Sequence, residues 1–128
     1  MSLSDGTYKI SSARVKTNAG KPLFVGLSGK NIVATASGGD AVELKKVTDG
    51  LYTLQFSRSG TFIGQSGSQL QFSSKAYQWR VMEVGSNEYK IISTAEDPCW
   101  TLPQGAGNPS QIVLFRQEGL AGQFWKFN

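Results

Sequence analysis

The chain of 128 residues has no histidine, one cysteine and four prolines, and 17% of it is charged. Without imidazole it lacks the commonest general base, the Ser-His-Asp and Cys-His arrangements, and the commonest transition-metal ligand. Cys99 by itself forms neither an intramolecular disulfide nor a thiolate cage. With no histidine to activate it, the thiol reads as a small hydrophobe and not as a nucleophile. Apolar runs are only a few residues long, so nothing in the sequence predicts a membrane-spanning helix. The first thirty residues show no basic n-region followed by an apolar h-region, which predicts a cytoplasmic protein or one released without a signal peptide. Thirteen Lys and Arg stand against nine Asp and Glu, a formal charge of +4, and the cations are scattered along the chain. Neither nucleic acid nor a membrane surface is expected as partner.

Acid-base chemistry from paired carboxylates is equally poorly provided for. Glu96-Asp97 is the one adjacent acidic pair, and its place before Pro98 reads as solvated turn chemistry. The stretch from Gly26 to Asn31 resembles a phosphate-binding loop only superficially, because the glycine spacing is short and no helical pattern follows. The expectation is therefore a binding protein with no catalytic residues, no metal and no cofactor.

What is present is alternation. The length fits a single domain over residues 1–128, 39% of it is hydrophobic, and fifteen glycines describe a turn-rich globular chain. No stretch shows apolar residues at helical spacing over ten positions. Twelve short segments alternate instead: 6–13, 22–27, 31–36, 41–47, 51–57, 61–65, 69–73, 77–84, 88–93, 99–102, 111–116 and 123–127. Turn signals such as Asp49-Gly50, Ser59-Gly60 and Gly85-Ser86-Asn87 separate them.

These strands repeat. Tyr8, Tyr52 and Tyr89 each precede an aliphatic residue by two positions and follow a turn dipeptide. Residues 24–32 match 62–70 at a constant offset of 38, with Gly26, Ser28 and Gly29 answered by Gly64, Ser66 and Gly67. The units close on Val42-Glu43-Leu44, Trp79-Arg80-Val81 and Trp125-Lys126-Phe127. Three four-strand units, about 5–47, 49–84 and 86–127, cannot bury their apolar faces singly and close together as a short capped barrel. The predicted fold is an all-β β-trefoil of twelve strands, a monomer. Packing then claims Phe24, Phe62, Trp100, the three tyrosines, Trp79 and Trp125 for the core.

Function in such a fold sits on loops. At the tip of the matched hairpins one copy carries Lys30 where the other has Ser68, while Asn31 answers Gln69. A long cation on a glycine-flanked tip projects clear of the surface.

Several segments resemble the mushroom β-trefoil serine protease inhibitors: Gly6-Thr7-Tyr8-Lys9-Ile10, the Gly29-Lys30-Asn31 tip, Trp100-Thr101-Leu102-Pro103 leading to Ser110-Gln111-Ile112-Val113, and the closing Phe124-Trp125-Lys126-Phe127. The chain departs from that family in being shorter and in lacking a proline-rich stretch before the last strand. The resemblance implies a trypsin-like serine protease as partner and a substrate-like loop of Ser28, Gly29, Lys30 and Asn31. Lys30 stands where the family carries a basic residue that enters the protease specificity pocket. The hairpin is expected to hold this loop extended. Arg58, in Ser57-Arg58-Ser59-Gly60, is the reserve candidate.

A second resemblance is to ricin-B-type lectins, through the Q-x-W triplet Gln123-Phe124-Trp125 and its degraded counterpart Tyr77-Gln78-Trp79. It implies glycan partners, with Asp97, Trp100, Gln104 and Asn108 as the candidate cluster and Trp100 partly exposed as the stacking platform. A third is to cysteine protease inhibitors of the clitocypin and macrocypin type, which would use other loops.

Overall fold

A computed structural model describes residues 3–29, 31–95, 97–103, 107 and 109–128. In chain order the strands are β1 (Gly6–Tyr8), β2 (Ile10–Lys16), β3 (Pro22–Ser28), β4 (Asn31–Thr35), β5 (Val42–Thr48), β6 (Leu51–Phe56) and β7 (Phe62–Ser66). They continue as β8 (Gln69–Ser73), β9 (Gln78–Gly85), β10 (Glu88–Ser93), β11 (Cys99–Thr101), β12 (Ser110–Gln111), β13 (Val113–Phe115) and β14 (Trp125–Phe127). A 3-10 turn, Ala121–Gln123, precedes the last strand.

The pairings close a ring. β1 pairs with β5, β5 with β6, β6 with β9, β9 with β10, β10 with β14, and β14 with β2. Since β1 and β2 are one stretch of chain, this ring is a six-stave antiparallel barrel without open edges. Three hairpins, β3–β4, β7–β8 and β11–β13, lie outside the ring, and further pairs of β4 with β12 and β8 with β13 join them. This is the β-trefoil, as the repeats predict.

The twelve expected strands appear as fourteen among the described residues, and both extra breaks have one cause. The stretch 6–13 divides at Lys9, which exchanges two backbone hydrogen bonds with Asn128, each of 2.9 Å, just where the chain leaves β5 for β14. Likewise 111–116 divides at the buried Ile112, between β12 on β4 and β13 on β11. A strand that changes partner interrupts its ladder.

Alternation sorts the side chains as a half-buried strand requires. Val42 and Leu44 are buried while Glu43 and Lys45 are exposed; Trp79 and Val81 are buried while Arg80 and Met82 are exposed. Trp79, Trp100 and Trp125 pack edge to face, with ring centres 5.6 and 5.9 Å apart. Phe24, Phe62 and Tyr8, predicted as core, are only half-buried. Outside the barrel, Arg14 lies 3.8 Å above the Phe124 ring and donates to Glu88 at 2.9 Å, which holds the Glu88 carboxyl below its usual range.

Glycine is indispensable at two close approaches. A Cβ on Gly122 would overlap the Leu102 carbonyl, and one on Gly39, at φ +63°, would lie 2.5 Å from the Phe24 Cβ. Gly20, at φ +79°, meets nothing within 4 Å. Gly20→Ala is therefore expected to cost about 1 kcal/mol from the left-handed backbone alone. Gly122→Ala is expected to cost about 3 kcal/mol through overpacking; urea unfolding of both variants measures the difference.

Cys99 is buried in β11, and burial pushes its thiol pKa up. Under native conditions a thiol reagent such as dithionitrobenzoate should leave it unmodified, and one equivalent should react in denaturant. Prompt labelling of the folded protein would contradict this placement.

Candidate functional site

The hairpin of β3 and β4 is built from five consecutive pairs, Phe24↔Thr35 through Ser28↔Asn31. Two residues, Gly29 and Lys30, therefore connect the strands. Gly29 takes φ +61°, a left-handed value that a hairpin turn demands and glycine supplies without strain. The β7–β8 hairpin repeats the geometry: Ser66↔Gln69 closes it, and Gly67 takes φ +60°. Ser28, Gly29 and Asn31 are exposed. Lys30 lies outside the described residues. The expected extended loop is corrected at Gly29, since a two-residue connection forces a tight turn; extended backbone is confined to Ser28 and Asn31, inside the strands.

One more residue meets this hairpin. Asp40, on the segment that follows β4, donates its backbone N–H to the Val25 carbonyl at 3.0 Å. Its carboxylate oxygen Oδ2 accepts the Leu27 N–H at 2.8 Å. Leu27, Ser28, Gly39, Asp40 and Pro109 contribute to a shallow cleft of about 300 Å³ beside the hairpin. Sequence reasoning missed Asp40. Its signal was available, because it stands two positions before Val42 as Tyr77 stands before Trp79 and Gln123 before Trp125.

Arg58 is exposed on the β6–β7 turn. There the chain folds back on itself: Gly60 N–H donates to the Phe56 carbonyl at 2.9 Å, Phe56 N–H to the Thr61 carbonyl at 2.9 Å, and Gln55 Nε2 to the Gly60 carbonyl at 2.8 Å. A backbone so engaged has few groups left to offer an extended partner strand.

The expected glycan cluster is not brought together as a stacking site. Trp100 is 0% exposed, sandwiched edge to face between Trp79 and Trp125, so it offers no face to a sugar ring. Its Nε1 is a buried donor with no partner among the described residues. Its strand β11 lies between β10 and β13, and the ring is buried against Trp79 and Trp125. Asp97 is exposed, and its carbonyl accepts from Gln117 Nε2 at 3.0 Å. Gln104 and Asn108 lie outside the described residues. The exposed aromatic on this side is Phe115, at 39%, in an open groove of about 630 Å³ with Asp97, Pro98, Gly67 and Arg116. Gln123, first residue of the Q-x-W triplet, is wholly buried and structural: Oε1 accepts from Glu118 and Leu120 N–H, and Nε2 donates to the Arg116 carbonyl.

Among curated protein sequences none matches the chain. Solved structures do. A proteinase inhibitor from Coprinopsis cinerea superposes with a TM-score of 0.80 at 20% identity, covering 99% of each chain. The Macrolepiota procera ricin B-like lectin in complex with lactose gives 0.78 at 23% identity, covering 100% of this chain and 98% of that one. The designed threefold-symmetric protein ThreeFoil gives 0.75 at 22% identity, covering 96% of this chain and 98% of that one. At such identities these likenesses establish the fold alone, which inhibitor and lectin share. The sequence itself is more discriminating: residues 1–121 match the family model described as Peptidase inhibitor I66, and the chain belongs to that family.

Proposed function

We propose that this peptidase inhibitor acts on trypsin-like serine proteases, as a monomer, through the β3–β4 tip, with Lys30 entering the specificity pocket and Asn31 on the leaving side. The observation that carries the reading is the hairpin itself: a basic residue centred in Ser28-Gly29-Lys30-Asn31, between strands held by five pairs and by Asp40. A trypsin-like pocket ends in a carboxylate, where a lysine ammonium gains a charge-assisted contact that an uncharged side chain lacks. A loop ordered before binding gives up little entropy on association. After cleavage of the Lys30–Asn31 bond the ladder would keep both new ends in place, so religation competes with hydrolysis. Ser68, at the matched tip, offers no such charge.

Titration of trypsin with the parent protein and two variants tests this. Lys30→Ala removes the charged anchor, a loss of about 3 kcal/mol, and should raise the inhibition constant more than a hundredfold. Arg58→Ala should leave it within about threefold, because the hydrogen-bonded turn at Phe56–Thr61 is not offered to the enzyme. Undiminished inhibition by Lys30→Ala removes Lys30 from the mechanism, and collapse in Arg58→Ala would move the site there.

A second reading, glycan binding, is favoured by the groove that places exposed Phe115 beside Asp97. An aromatic face with a neighbouring carboxylate has the chemistry to hold a sugar ring. On a glycan array the inhibitor reading expects no signal from the parent protein. A signal lost in Phe115→Ala would establish the glycan site.

A further inference from the structure

We infer that Asp40 is a positioning residue for the β3–β4 tip, completing the otherwise open edge of β3 next to Ser28 and holding the tip in the shape a protease meets; in its link to inhibition this rests on the reading of Lys30 above. On its outer side β3 is paired with β2 only as far as Phe24, through Ser11↔Phe24 and Lys16↔Pro22. Beyond that point the Val25 carbonyl and Leu27 N–H have no strand partner on that edge among the described residues. Asp40 supplies both missing partners from one residue: a main-chain donor for Val25 at 3.0 Å and a side-chain acceptor for Leu27 at 2.8 Å. It does what a paired strand residue does, with a carboxylate in place of a carbonyl.

The approach is shaped for this contact. Gly39 comes so near that a Cβ would stand 2.6 Å from the Val25 oxygen. Gly26, between the two bonded residues, has the Asp40 carboxylate 3.2 Å from where its Cβ would be. Two glycines, one on each side, make the space that Asp40 uses.

The other copies of the unit act as internal controls. At the position of Asp40 the second has Tyr77, whose hydroxyl donates to Gln65 Oε1 at 2.7 Å. The third has Gln123, bonded to Arg116, Glu118, Leu120 and Thr101. Among the described residues neither side chain bonds a main-chain N–H of its own hairpin's first strand, β7 or β11. The carboxylate brace occurs in the copy whose tip is basic, and Leu27 lies two residues before Gly29.

The experiment has a protease-free arm and a protease arm, both on the full chain. By NMR amide exchange, Asp40→Ala should speed exchange at Leu27 at least tenfold while amides of β7–β8 stay within twofold. Asp40→Asn, which keeps an acceptor oxygen, should restore protection to within about threefold of the parent. With trypsin, Asp40→Ala should be cut after Lys30 at least tenfold faster, so that inhibition decays with time, read by mass spectrometry and residual activity at a temperature where the variant is folded. If Asp40→Ala fails to fold, Gly26→Ala, which crowds both the carboxylate and the Gly39 backbone that carries Asp40, each at 3.2 Å, takes its place. Leu27 exchange unchanged in these variants overturns the brace. Faster exchange with parent-like cleavage and inhibition overturns its role in positioning. If Lys30→Ala inhibits as the parent does, the Lys30 reading fails alone, and the exchange arm still decides whether Asp40 positions the hairpin.

Discussion

Three buried indoles hold the barrel and its cap to each other. Trp79 and Trp125 occupy matching places on staves β9 and β14, and both send their ring N–H out of the barrel to a cap strand: Trp79 to the Ile63 carbonyl at 2.8 Å, Trp125 to the Trp100 carbonyl at 3.1 Å. Trp100, itself on a cap strand, fills the space between them edge to face. These contacts combine large apolar burial with directed bonds, so the cap cannot slide on the barrel without exposing indole and stranding a polar group. The first copy has Val42 in place of the tryptophan and no indole to send. There the corresponding carbonyl, Val25, which matches Ile63 at the offset of 38, takes its hydrogen bond from the Asp40 main chain. The smaller barrel residue and the backbone brace go together: where Val42 leaves no ring N–H, the segment with Gly38 and Gly39 comes down onto the hairpin.

That substitution bears on function. In the second copy the link between cap and barrel is a buried side chain, and the hairpin beyond it is held through side-chain bonds of Gln65 to Tyr77 and Gly67 and through the pairing of β8 with β13. In the first, the link lies at the hairpin's edge and continues to Leu27. While the second hairpin is tied at its own tip, where the Ser68 carbonyl accepts the Leu114 N–H at 2.7 Å, the Asp40 brace is thus on the hairpin whose tip carries a cation in the sequence. A loop presented as substrate is expected to resist digestion only if its bound form is already its free form, so this is where a basic residue would be of most use.

Much of this was legible in the sequence, because repetition and alternation are local. The offset of 38 between two hairpins anticipates φ values of +61° at Gly29 and +60° at Gly67, and Asp49-Gly50 and Ser86-Asn87 mark the turns where Gly50 and Asn87 take φ +79° and +57°. What escaped were properties fixed by distant chain. Trp100 has two readings in the sequence, core by its place in the repeat and ligand platform by its polar neighbours, and the core reading holds because its surroundings come from Trp79 and Trp125, twenty-one residues before it and twenty-five after. Asp40 was one acid in a glycine-rich turn until β3, thirteen residues earlier, was placed beside it. Strand breaks at Lys9 and Ile112 likewise follow from partners elsewhere in the chain.

The matched hairpins also show how one architecture can carry different tips. The barrel fixes where six staves run, and the caps fix where hairpin tips emerge. Nothing lies within 4 Å of where a Cβ would stand on Gly29 or Gly67, so the constraint there is backbone conformation and not packing. Glycine satisfies it in both copies, and the side chain that follows differs, lysine in one and serine in the other, where it is the Ser68 main chain that is engaged, its carbonyl accepting the Leu114 N–H at 2.7 Å. Function can therefore change at such a position at almost no cost in stability, provided the edge beneath it is held. On the proposed reading of the tip, the edge is where fold and activity would share a residue, and that residue is Asp40.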